Sequence, residues 1–325
     1  ALGVAILLII LRNRAEGQNK GNILPDSKPK LFILEFISLD FEPYDLWAGA
    51  DVLPDMFTHT YFNKFINYLK ETNIFDVKHI YKQSRQVTAE EINNTLEKVE
   101  KQSNKDDILL FFISTHGAYV KDRQSTILYM TNAKVMNDKL SYEAIIRNDL
   151  VKKLKKLPMR FKILLTNNCN APIRTYANIK KFQAYNNNNF TEINLDDIKI
   201  KNFDVILLYY KNQSEPEFNL KSFRNRVKNI FLNYKGFLDV ETSDYTQSRY
   251  DSYAWATHMG AIHPFYFFEA IYNEKVRKEF FNNKNDLTWK DIFKYSFKRT
   301  NSITFTSFHY AKQFPVLHEE PKKIS

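Results

Sequence analysis

The stretch DDILLFFISTHG, residues 106–117, decides the fold. Asp106 and Asp107 open it, an apolar run from Ile108 to Ile113 follows, and Ser114-Thr115-His116-Gly117 closes it on a polar turn. A short apolar run bounded by turn residues is the pattern of a strand buried on both faces, as in a parallel sheet. Open parallel sheets bind and react at the carboxyl ends of their strands. His116 stands at such an end.

Downstream, residues 161–166 (FKILLT) repeat the pattern and run into Asn167-Asn168-Cys169-Asn170-Ala171-Pro172. A helix with a basic C-terminal end, expected over 142–157, separates the two strands, and a right-handed crossover sets them side by side. Upstream, a first strand begins at Leu31 and a loop carries Gly49. A helix over 54–70 lines up Met56, Tyr61, Phe62, Phe65, Ile66 and Leu69 on one side. A short strand at 76–81 precedes a helix opened by the capping pattern Thr88 to Glu91. Beyond the first strand–turn unit we expect a hairpin arm at 126–131. Further along we expect a strand at 203–210, a helix at 222–234, a last core strand at 236–243, an aromatic helix at 265–271 and an amphipathic helix at 288–298. Strands alternating with helices define an α/β domain with a mostly parallel central sheet.

Composition narrows the function. With 325 residues the chain can bury one large core. Only 7 glycines are present, and no Gly-rich phosphate loop appears among them. The net charge of +10 comes from dispersed lysines, without the clustered stripe or reading motif of a nucleic-acid partner. One cysteine, Cys169, excludes an internal disulfide and a multi-cysteine zinc site. His258 and His263 are five apart, off a common helix face, so no metal is expected there.

Residues 1–11 (ALGVAILLIIL) are wholly apolar and are followed by Arg12, Arg14 and a polar linker to residue 30. Eleven residues fall short of the roughly 20 that span a bilayer. We read the run as the trailing part of a membrane anchor or signal-type segment, giving a membrane-anchored or exported protein with the side of the membrane open. The body then occupies residues 31–325.

A cysteine nucleophile needs a base, oxyanion donors and access. Cys169 and His116, at equivalent strand ends, supply the first pair: His116 takes the thiol proton and returns one to the leaving amine. The backbone N–H groups of Gly117 and Cys169 are candidate oxyanion donors, and Gly117 lets the backbone approach a substrate closely.

These segments resemble the caspase and metacaspase superfamily. Residues 106–117 are similar to its acid–hydrophobic–Ser-Gly-His-Gly strand, and 161–169 to the strand ending in the catalytic cysteine, 53 residues beyond the histidine against an expected spacing of roughly 50. Residues 46–51, 88–96, 129–132 and 236–247 resemble further family segments, as does the closing Gln313-Phe314-Pro315-Val316-Leu317, so the likeness spans about 31–320. It implies a three-layer α/β/α sandwich, a cysteine endopeptidase acting on peptide or protein substrates, and no cofactor. It also implies a substrate pocket formed by Ser114, the residue two before the cysteine (Asn167) and a carboxylate that falls at Asp51 or Asp55. In metacaspases the position of Asn167 is acidic, and a neutral floor weakens preference for a basic residue. Thr115 replaces the usual glycine before the histidine, and Cys169-Asn170-Ala171-Pro172 stands where the family often has Cys-x-Ser-Gly. Residues 180–233 are longer than in a minimal member, with Lys180-Lys181 a candidate processing site. The same fold also suits an inactive binding scaffold or a peptide ligase.

Overall fold

A computed structural model describes residues 28–38, 48–120, 124–130, 134–136, 139–141, 144–168, 171–172, 218–243, 256–257, 260–282, 284, 286–307 and 313–324. The N-terminal apolar run, the strand expected at 203–210, Lys180-Lys181 and His258 lie outside them. Among the described residues no helix is long and apolar enough to cross a membrane.

The apolar runs build the sheet. Strands β1 (Lys30–Ser38), β2 (Asp76–Gln83), β3 (Ile108–Thr115), β9 (Phe161–Asn167) and β11 (Tyr234–Glu241) are parallel, in the order β11-β9-β3-β1-β2. Two short strands, β14 (Val316–Glu319) and β15 (Lys322–Lys323), pair antiparallel with β11 and cover that edge. The strand at 236–243 is therefore not the last of the core sheet; the chain returns through Val316 and Leu317. A second sheet joins β10 (Ala171–Pro172), β4 (Gly117–Val120), β5 (Ser125–Tyr129) and β8 (Ala144–Ile146); β6 (Lys134–Met136) pairs with β7 (Lys139–Ser141), β12 (Ala256–Thr257) pairs with β13 (Gly260–Ala261), and Glu274–Phe280 forms α6.

Every residue of β3 is buried, because both faces are covered. Successive strand side chains point to opposite faces, and the core divides accordingly. Leu110 and Phe112 pack with α1 (Ala48–Glu71), α4 (Leu220–Val227), α5 (Ile262–Tyr272) and α7 (Trp289–Ser307). Leu109, Phe111 and Ile113 pack with α2 (Ala89–Gln102) and α3 (Arg147–Lys156). The result is helix–sheet–helix, a mostly parallel three-layer α/β fold. On α1, Phe62, Phe65, Ile66 and Leu69 are fully buried at helical spacing. Thr88 caps α2 by accepting the Glu91 N–H at 3.0 Å.

Several boundaries differ from expectation: the aromatic helix begins at Ile262, and the helix expected at 288–298 runs on to Ser307. Helix α1 starts at Ala48, so Gly49 and Pro54 lie inside it. The helix expected from residue 142 begins at Arg147, since Ala144–Ile146 pair with β5, where β-branched Ile145 and Ile146 fit a pleated surface. The helix expected at 222–234 is α4 followed by a π-helical turn, Lys228–Leu232.

His263, in the first turn of α5, is fully buried. The Ser296 hydroxyl donates to the Phe293 carbonyl at 3.0 Å, so it accepts from His263 Nε2 at 3.1 Å. Burial pushes the His263 pKa down from 6.5 to about 3. The unfolded chain binds a proton near 6.5 that the folded chain refuses until about 3, so stability falls as the pH drops through that window. Urea unfolding of His263→Gln between pH 6.5 and 4.5 should show a weaker pH dependence, by up to about 1.4 kcal/mol per pH unit. An unchanged slope would contradict the assignment.

Candidate active site

The strands that carry the sequence-derived candidates lie side by side. Ser114 of β3 is the register partner of Asn167 of β9. Past the strand ends, Ala118 of β4 is the partner of Ala171 of β10. Both pairs are 53 residues apart in sequence, as are His116 and Cys169. Cys169 itself lies outside the described residues. So does the side chain of Asp51, whose backbone is in the first turns of α1.

His116 is half-buried between β3 and β4. Its carbonyl accepts the Tyr129 N–H at 2.9 Å, and the Thr115 hydroxyl donates to the Tyr129 carbonyl. The hairpin arm β5 thus clips the histidine's backbone from one side. Gly117, buried, opens β4 opposite Leu128.

Beneath this turn the strand ends are polar and shielded from water, so their groups must satisfy one another. The Asn167 side-chain amide donates to Ser114 Oγ at 2.8 Å, and its oxygen accepts from Thr242 Oγ1 at 3.1 Å. Both members of the expected pocket pair are therefore bonded to each other, and the pair carries no charge. Asn168 is held at three points by the end of β11. Its N–H donates to Thr242 Oγ1 at 3.3 Å, its side-chain amide donates to Glu241 Oε1 at 3.1 Å, and its carbonyl accepts from the Ser243 hydroxyl. Gln313 Nε2 donates to the Thr242 carbonyl at 3.1 Å, tying the closing Gln-Phe-Pro segment to the same place.

Glu241 is the hub. Buried within β11, it also accepts from Thr126 Oγ1 at 2.8 Å and contacts His318 Nε2 at 2.9 Å. Its charge is met by Arg147, whose Nε lies 3.4 Å from Glu241 Oε2 and donates to Thr166 Oγ1 at 3.0 Å. The same guanidinium forks onto Asp239, with Nη1 at 3.3 Å and a second bond from Nη2. Burial opposes the Arg147 charge, but the carboxylates of Glu241 and Asp239 outweigh it and raise the pKa. Arginine suits the task, since a planar fork meets a carboxylate with two parallel bonds.

Among the described residues, no His, Cys, Asp and Glu side chains are grouped to hold a metal ion. The buried Glu35 is hydrogen-bonded instead, to His59 Nδ1 at 3.0 Å and His79 Nε2 at 2.8 Å.

The geometry can be set beside known proteins. The caspase-domain family model matches residues 53–249, more than half of the chain. The chain belongs to the caspase-domain family. No curated protein is similar enough in sequence to count as a match. Among solved structures, a Geobacter sulfurreducens protein is similar at 14% identity and TM-score 0.45, over 89% of this chain and 92% of that one. Caspase-1 from Spodoptera frugiperda is similar at 12% identity and TM-score 0.46, over 92% and 91%.

Within this caspase domain, sequence reasoning passed over Arg147, Asp239, Glu241, Thr242 and Ser243 as site residues. One signal was present: Asp239 and Glu241 stand at alternate positions of a buried strand, hence on one face, and two buried carboxylates require a cation. Removing that cation strands both charges. Arg147→Ala should lose about 3–5 kcal/mol of stability in denaturant unfolding; a loss within ~0.5 kcal/mol, the range of an ordinary surface change, would contradict the buried bridge.

Proposed function

We propose that the chain is a cysteine endopeptidase in which Cys169 is the nucleophile and His116 the general base. One observation carries the reading: paired positions on either side of the two residues share their sequence offset of 53. A constant offset before and after the strand ends supports reading His116 and Cys169 as equivalent positions of the two neighbouring segments. Membership of the caspase-domain family, most of whose members are cysteine peptidases, supports it.

The chemistry then follows in order. His116 takes the proton of Cys169, and the sulfur attacks the peptide carbonyl to give a tetrahedral oxyanion. The N–H groups of Gly117 and Cys169 hold that oxygen. Collapse breaks the C–N bond as His116 protonates the amine, leaving a thioester. Water, deprotonated by His116, attacks the thioester, and the acid leaves as the thiol is restored.

Ser114 and Asn167 form the pocket floor in this scheme, with Asp51 a candidate for its rim. Because Asn167 is neutral and both ends of its amide are engaged by Ser114 and Thr242, the floor offers no charge to a basic residue before the scissile bond. The preference should be for neutral side chains.

A fluorogenic peptide library, run on the native chain and on Cys169→Ala, tests the reading. Turnover should vanish in the variant while the thermal midpoint stays within about 2 °C, as for a small surface-like change. Turnover retained by Cys169→Ala would overturn the assignment.

A further inference from the structure

The three bonds that hold Asn168 do different things. Thr242 and Glu241 fix its N–H and its side chain, and so anchor the strand end. The third, from the Ser243 hydroxyl to the Asn168 carbonyl, acts on the peptide group that joins Asn168 to Cys169. Peptide groups are planar and, away from proline, almost always trans, so an N–H lies opposite the carbonyl of its own peptide group. Whatever holds the carbonyl also aims the N–H.

We propose that Ser243 is a positioning residue: by holding the Asn168 carbonyl, its hydroxyl aims the Cys169 N–H at the developing oxyanion. The inference rests on the reading of Cys169 as nucleophile. Two features favour it over a purely structural role. Ser243 is fully buried, so its hydroxyl is not exchanged for water. The strand end it touches is already secured by Thr242, whose own N–H donates to the Thr166 carbonyl at 2.9 Å and whose carbonyl is held by Gln313. The Ser243 bond adds to that anchoring a hold on the peptide group itself. A donor on the carbonyl also polarises the peptide, which strengthens its N–H as a donor in turn.

The test compares Ser243→Ala and Ser243→Thr with the native chain in three readouts. These are peptide turnover, binding of a peptide aldehyde built on the best-cleaved sequence, and alkylation of Cys169 by iodoacetamide. The aldehyde adduct places an oxygen in the oxyanion position; alkylation at a saturated carbon does not. Ser243→Ala should lower kcat and aldehyde affinity about tenfold to a hundredfold, less than or comparable to loss of a whole oxyanion donor. KM and the alkylation rate should stay unchanged, and Ser243→Thr, which keeps the hydroxyl, should restore kcat. Unchanged kcat and aldehyde binding would overturn the proposal, as would an alkylation rate that falls in step with kcat, because Ser243 would then hold the thiol rather than aim the N–H. A native chain that neither cleaves peptides nor binds the aldehyde would overturn the peptidase reading and this inference together.

Discussion

Three parallel strands, β3, β9 and β11, are buried on both faces along their carboxyl-terminal halves and end together in polar side chains that water does not reach. Burying polar groups without partners is costly, so the ends must be complementary to one another. Ser114 answers Asn167, Thr242 answers both Asn167 and Asn168, and Glu241 answers Asn168 and Thr126. The one full charge this network cannot neutralise internally is met by Arg147, from the first turn of the helix that links β3's region to β9. The sheet's register and the site's rigidity are one constraint seen at two scales.

That arrangement gives the residues around the candidate dyad unequal freedom. His116 is held through its carbonyl and through its neighbour Thr115, both by the hairpin arm. The residue before Cys169 is held through three separate groups by Glu241, the last residue of β11, and by Thr242 and Ser243 just beyond it. A preorganised donor costs no reorganisation at the moment of reaction, which is what oxyanion stabilisation needs. Under the proposed peptidase reading, the neutral Asn167, bonded at both ends of its amide, ties selectivity to the same network that sets the geometry.

Much of this was legible in the chain itself. The apolar runs at 108–113 and 161–166 announced buried strands, their order implied adjacency, and Ser114-Thr115-His116-Gly117 announced a polar strand end. What was not legible depends on long-range pairing. Ala144–Ile146 read as helix because they precede a strong helical pattern, yet pairing with Ile127–Tyr129 draws them into strand. Arg147 looked like any basic residue of a lysine-rich helix until Asp239 and Glu241, about 90 residues later, were brought against it. Glu35, a charge in an apolar strand, found His59 and His79 only through the fold. Local pattern sets element type; partners of buried charges are set by topology.

The central claim is that His116 and Cys169 act as a pair, and the alkylation rate of Cys169 with and without His116 tests it most directly. Cys169 is the chain's single cysteine, so every thiol adduct reports on it. At pH 7 the native chain should react with iodoacetamide faster than His116→Ala by about tenfold or more, because a neighbouring base raises the thiolate fraction. Equal rates in the two proteins, both at the level of an ordinary free thiol, would contradict the account.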